Sequence, residues 1–273
     1  MFCEIKGIRI HYEIIGEGTP VVMLHGWGPD LRLMKGCMEP VFSGGHPGYM
    51  RIYPDFPGMG QSGKGDFITG SDALLEVILE FIDMVIPGKS FLLAGESYGG
   101  YIARGVIHKM RERVLGILLI CPVADPVTQR ENCPPHIVLE RDERMFAGLS
   151  AEDREFFDGP DTVQTERVWN AYKEDVLPGL KTADYDFLNS HRGKRVPFSF
   201  DVDSPANRFD RPGLFIIGRQ DCFVGYRDLW KIIENYPRAS FVLLDKAGHN
   251  LQIEQDRLFR ECVSEWITRT AEF

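Results

Sequence analysis

The chain has 273 residues, 44% of them hydrophobic, enough to bury a substantial core in one domain or in one domain carrying a large insertion. Asp and Glu outnumber Lys and Arg by 40 to 31, a formal charge of -9, and no Lys/Arg-rich stripe could neutralise a row of phosphates, so nucleic acid is not an expected partner. No basic segment precedes a long apolar one at the N-terminus and no apolar run reaches about 18 residues, so no membrane association is expected and the cytoplasm is the expected location.

Ile8 to Ile15 alternates in character and ends at Gly16-Glu-Gly-Thr-Pro20, which predicts a strand closed by a turn. Val21 to Leu24 is a short unbroken apolar run, the pattern of a strand covered on both faces, and it leads straight into His25-Gly-Trp-Gly28. Met50 to Tyr53 predicts another strand, followed by Pro54-Asp-Phe-Pro-Gly-Met-Gly60. Ser71 to Val85 then sets Leu74, Leu75, Ile78, Leu79, Ile82 and Val85 at helical spacing, with Ser71 or Asp72 available as a cap. Ser90 to Ala94 predicts a buried strand, Gly100 to Met110 a helix, and Val114 to Cys121 the next strand. This alternation predicts an α/β fold, a mostly parallel sheet wrapped by helices through right-handed crossovers.

From Pro122 to about Asn207 the rhythm breaks, with no strand-like run and with helical patches such as Glu166 to Val176. A structureless loop of that length is rare in a compact domain, so residues 122–207 are expected to form an inserted helical cap on a core made of 1–121 and 208–273. The rhythm resumes at Gly213 to Ile217, a predicted strand, followed by a helix around Tyr226 to Asn235, a strand at Ser240 to Leu244 and a closing amphipathic helix from about Gln255 to Arg269.

Functional groups of a parallel sheet gather beyond the carboxyl ends of its strands. Four polar segments stand there: His25-Gly-Trp-Gly28, Ser97, Gly218-Arg-Gln-Asp221 and Gly248-His-Asn250. Gly95-Glu-Ser-Tyr-Gly99 fits a G-x-S-x-G turn between strand and helix, which exposes its serine at a helix N-terminus where developing negative charge is favoured. A serine hydroxyl needs a base, and His249, just past the last strand, is the candidate; Asp221 is the candidate acceptor that fixes the imidazole. The order Ser97, Asp221, His249 is that of the α/β-hydrolases.

With His25 to Gly28, Asp55 to Ser62, Gly95 to Gly100, Gly218 to Asp221 and Ala247 to Asn250 in order, the whole chain resembles a capped α/β-hydrolase fold protein. That broad set includes carboxylesterases, lactonases, carbon-carbon bond hydrolases and proline iminopeptidases. The resemblance implies an oxyanion hole made by the backbone amides of Trp27 and Tyr98. It also implies acyl chemistry, since relatives acting on epoxides or carbon-halogen bonds carry aspartate where Ser97 stands. Asp125, beyond the strand Val114 to Cys121, is where some relatives place their acid, but Gly-Arg-Gln-Asp221 matches the family pattern and Asp125-Pro126 reads as a turn.

The expected activity is hydrolysis of a carboxylic ester or lactone of a small molecule through an acyl-enzyme, without metal or cofactor. Six scattered cysteines and seven dispersed histidines suggest no metal site and no disulfide framework. An aminopeptidase of the proline iminopeptidase type is the first alternative, although the HGGPG and G-G-S-W-G of those enzymes differ from the segments here; Glu140, Glu166 or Glu174 would then hold the substrate amine. A ligand receptor on the same fold is the second. Phe146, Trp169 and Tyr172, with Phe156 and Phe157, are candidates to line a substrate pocket or to form the core of the cap. His25 is expected to shape its loop, His11, His46, His108, His136 and His191 to be solvated or structural, and Glu96 either to touch substrate or to bond a neighbouring loop, the latter being preferred.

Overall fold

The computed structural model describes residues 1–127, 129–159, 161–190, 197–204 and 208–273; His191 and the expected end of the insertion at Asn207 lie outside the described residues. The chain begins with an antiparallel pair, β1 (Phe2–Ile5) and β2 (Ile8–Ile15), and continues with β3 (Thr19–Leu24), β4 (Tyr49–Pro54), β5 (Phe91–Glu96) and β6 (Val114–Ile120). Three helices alternate with them: α1 (Leu31–Ser43), α2 (Ser71–Val85) and α3 (Tyr98–Met110).

The helix α1 was not predicted, because Gly36 and Pro40 break its pattern. It forms because Leu31, Met34, Cys37, Met38, Val41 and Phe42 bury one face and Asp30 caps it by accepting from the Arg32 amide. The bounds of α2 are those predicted, but its cap is not: Gly70 stands at the N-cap. Ser71 instead turns its hydroxyl inward to the Tyr98 hydroxyl, 2.8 Å away, and Asp72 accepts from the amide of Ser199 at 3.0 Å.

Between β6 and the next sheet strand the chain leaves the sheet. This stretch holds β7 (Glu140–Arg141), α4 (Glu143–Gly148), α5 (Ala151–Asp158), β8 (Val163–Gln164), α6 (Glu166–Asp175), α7 (Leu177–Thr182) and α8 (Tyr185–Ser190). The pairing of β7 with β8 corrects the expectation of a strand-free insertion; runs of two residues are too short to leave a period-2 signal. The helix α6 packs on α1, and Arg167 donates to the carbonyl oxygens of Ile253 and Glu254 at 2.7 and 2.9 Å.

The chain re-enters the sheet with β9 (Gly213–Gly218) and β10 (Ala239–Leu244), and ends with α9 (Leu251–Glu254) and α10 (Asp256–Ala271). The helix expected around Tyr226 to Asn235 is two short 3-10 turns, Asp228–Lys231 and Ile233–Asn235. The sheet order is β1-β2-β4-β3-β5-β6-β9-β10, antiparallel through the first pairings and parallel from β4 onward. Every residue of β5 and of β9 is buried, which is why these strands read as continuous apolar runs and why their carboxyl ends converge. Among the described residues no helix is long and apolar enough to cross a membrane.

Candidate active site

The turn from β5 into α3 holds Ser97 at φ 52° and ψ -118°, a conformation that costs on the order of 1–3 kcal/mol for a residue with a side chain. Its own backbone secures it. The Ser97 amide donates to the Ile120 carbonyl at 2.9 Å, and its carbonyl accepts from Gly100 and Val123, both at 3.0 Å. The flanking glycines are required by close approach: a Cβ on Gly95 would stand 2.5 Å from the Gly99 carbonyl oxygen, and one on Gly99 would collide with the carbonyl oxygens of Leu24 and His25.

The loop after β10 carries His249 over this serine, with Nε2 3.0 Å from Ser97 Oγ and Nδ1 2.9 Å from Asp221 Oδ2. Asp221 is fully buried, and its other oxygen accepts from the amides of Phe223 and Val224 at 2.8 and 3.1 Å. Burial pushes this carboxyl up, but His249 and those two amides outweigh it and hold the group below the ordinary carboxylate value. An ionised Asp221 can only accept, so the hydrogen of the neutral imidazole belongs on Nδ1 and the Nε2 lone pair faces the serine hydroxyl.

The histidine loop is held from below. Glu254 accepts from the Gly248 amide at 2.5 Å, and its second oxygen accepts from the amides of Thr162 and Val163 at 2.6 and 2.9 Å, at the start of β8. Asn250 donates to Asp161 at 3.2 Å. Burial pushes Glu254 up to about 7, and burial with the neighbouring Glu254 pushes Asp161 well above its usual value. One carboxyl thus ties the insertion to the loop that carries His249. Sequence reasoning missed this pair, since isolated acids far apart in the chain give no local signal.

Trp27 and Tyr98, the expected oxyanion donors, pack edge to face with ring centroids 5.1 Å apart beside Ser97. Tyr98 opens α3, so its amide lies in the first helical turn, whose N–H groups point out of the helix end. His25 shapes its loop: it is fully buried, Nδ1 donates to the Gly26 carbonyl at 2.7 Å, and Nε2 accepts from the Phe56 amide at 2.9 Å. His11 pairs with Asp55 at 2.8 Å, His46 with Ser264 at 2.6 Å, and His108 stacks on Phe200.

A cavity of about 640 Å³ opens above Ser97 between the sheet and the insertion, lined by Trp27, Leu33, Tyr172, Val176, Leu180 and Phe223 together with Glu96 and His249. Of the expected lining residues Tyr172 is there. Phe146 and Trp169 are not among the described lining residues. Phe146 lies under the Arg141 guanidinium, 4.0 Å from its ring centre, and Trp169 packs on Phe157 and Tyr172 in the insertion's own core. Phe156 and Phe157 are likewise absent from the described lining. Asp125 closes its own turn by accepting from the Val127 amide at 2.8 Å, whereas Asp221 is the carboxylate that meets His249. Glu140 pairs with Lys246 at 3.1 Å, and Glu166 and Glu174 are exposed, so none of the three candidate amine holders faces the cavity. Cys121, Asp221 and His249 are close enough together to hold a metal ion, but two of them are already engaged with each other and with Ser97.

Residues 21–261 match the model of the Alpha/beta hydrolase family. The chain belongs to that family. As an alpha/beta hydrolase it is 27% identical over 260 residues to a pimeloyl-[acyl-carrier protein] methyl ester esterase of Aeromonas salmonicida, covering 94% of this chain and 98% of that protein. It is also 27% identical over 270 residues to a 2-hydroxy-6-oxononadienedioate/2-hydroxy-6-oxononatrienedioate hydrolase of Burkholderia vietnamiensis, covering 96% of this chain and 92% of that one. An alpha/beta superfamily hydrolase from Oenococcus oeni PSU-1 superposes with a TM-score of 0.87 at 28% identity, covering 99% of both chains. A thermophilic esterase from Thermogutta terrifontis superposes with a TM-score of 0.70 at 21% identity, again over 99% of both chains, a likeness of fold.

Proposed function

We propose that this alpha/beta hydrolase cleaves a carboxylic ester with Ser97 as nucleophile, His249 as base and Asp221 as the acid that orients it. One observation carries the reading: the imidazole meets a serine hydroxyl at 3.0 Å through one nitrogen and a buried carboxylate at 2.9 Å through the other. In the first step Ser97 Oγ bonds to the ester carbonyl carbon while its proton passes to His249 Nε2. The oxyanion falls to the amides of Trp27 and Tyr98, each such donor being worth about 3 kcal/mol of barrier. As the tetrahedral adduct collapses, the alkoxy oxygen leaves with the proton from Nε2, and the acyl group remains on Ser97. Water then repeats the sequence, giving up its proton to Nε2, and the free acid departs.

The cavity favours an apolar acyl chain of moderate length, since its walls are mainly apolar and its volume lies in the usual range for small-molecule sites. Several relatives are named for a methyl ester of an acyl chain, which makes methyl esters of medium-length acids the first substrates to assay. A lactone would open by the same steps, its alcohol staying tethered to the acyl group. The test is turnover of methyl and p-nitrophenyl esters of increasing chain length, lactones and prolyl amides. Ester cleavage lost by about 10⁴-fold in Ser97→Ala is the expected result. Preferential cleavage of prolyl amides, or full ester turnover by Ser97→Ala, overturns the proposal.

A further inference from the structure

Glu96, the last residue of β5, stands on the wall of the cavity with only 1% of its surface exposed. One oxygen, Oε1, lies 3.4 Å from His249 Nε2, the same nitrogen that Ser97 Oγ meets at 3.0 Å. The other, Oε2, is buried and packs against Gly26, where any Cβ would collide with it. The G-x-S-x-G motif requires Gly95, Ser97 and Gly99 and leaves the residue type at position 96 free.

We propose that Glu96 is a positioning residue for His249, whose carboxyl competes with Ser97 for Nε2 and thereby sets the acid limit of hydrolysis. The inference rests on the reading of His249 as the base. Consider one proton shared between the two groups. On Glu96 it is donated from Oε1 to the Nε2 lone pair, which Ser97 needs. On His249 it forms an imidazolium that the Glu96 carboxylate stabilises. Either way the base is withheld, and only the state in which both groups are unprotonated leaves Nε2 to the serine.

The surroundings put this competition in the neutral range. The titratable groups facing Glu96 are His249, Asp221 after β9, Cys37 of α1 and Cys121 after β6. Burial, opposed by His249 and by the backbone amide of Gly26 and reinforced by Asp221, pushes the Glu96 carboxyl up to about 7.

The experiment is the pH profile of kcat/KM on an aryl ester for wild type, Glu96→Gln and Glu96→Ala. Removing the carboxyl destabilises the imidazolium, so the midpoint of the acid limb moves to lower pH, by about 0.5–1 pH unit in both variants. A midpoint that stays in place in both, whatever the loss in rate, or that moves upward, overturns the inference and leaves Glu96 a purely structural residue. A second readout is independent of turnover: in Ser97→Ala the His249 imidazole, followed by NMR, should titrate in two coupled steps, and adding Glu96→Gln should merge them into one at lower pH. A single step with an unchanged midpoint overturns the inference, and the parent variant alone gives the first comparison should the Glu96 variants fail to fold. Ester turnover lost in Ser97→Ala together with unmoved acid limbs rejects only the role of Glu96, whereas undiminished turnover in Ser97→Ala rejects the reading beneath it.

Discussion

Asp221, preferred over Asp125 in the sequence, is the carboxylate that meets His249, while Asp125 bonds its own turn. Asp221 is held ionised by His249 and two backbone amides, so Asp221→Asn replaces a pure acceptor with a group that can also donate, and the imidazole loses the tautomer that leaves Nε2 free. The expected loss in kcat is about 10³ to 10⁴-fold, against a few-fold at most for Asp125→Asn, whose carboxylate serves its own turn. Steady-state kinetics of the two variants on one ester decide this, and a reversal of the ranking would move the acid to Asp125. That Ser97, His249 and Asp221 would come together was legible, because a nucleophile, base and acceptor read from strand ends must converge there, as the distances between them do. Phe146, Trp169 and Tyr172 were legible only as aromatics of the insertion. A ring that fills the insertion's own core and a ring that faces the cavity leave the same mark in a sequence.

At the scale of elements, the carboxyls of Asp161 and Glu254 join β8 to the loop carrying His249. Asp161 has its folded pKa raised well above 3.8 by burial and by Glu254, so the stability associated with its neutral form is present below about pH 4 and is lost as pH rises through the folded value. Asp161→Asn keeps an acceptor for Asn250 and removes the charge. The variant should therefore gain stability over wild type increasingly above about pH 4, and more at pH 8 than at pH 5. Urea melts at pH 5 and pH 8 check it; a gain that shrinks toward pH 8 would contradict the buried like-charge pair. The parallel strands and α2 were readable from apolar runs and helical spacing, whereas α1 was hidden by Gly36 and Pro40 and the helix expected at 226–235 dissolved into 3-10 turns. The cap of α2 went astray for a tertiary reason: Ser71 has a better partner in Tyr98 than in its own helix end.

For the whole molecule, the sheet supplies Ser97, Asp221 and His249 from the ends of separate strands, while the segment between β6 and β9 supplies the opposite wall with Tyr172, Val176 and Leu180. In the proposed reading the sheet would carry the chemistry and this segment the choice of acyl chain. Leu180→Phe adds volume to that wall, so kcat/KM for octanoyl esters should fall about 10-fold relative to acetyl esters. Equal losses for both chain lengths would show that the acyl chain does not run along this wall. Activation of Ser97 by His249 for covalent attack is checked by treating the protein with a fluorophosphonate and locating the adduct by peptide mass spectrometry. One adduct is expected, on Ser97, formed far more slowly in His249→Ala and absent in Ser97→Ala; an adduct on another serine, or labelling of Ser97 at an undiminished rate without His249, rules this activation out.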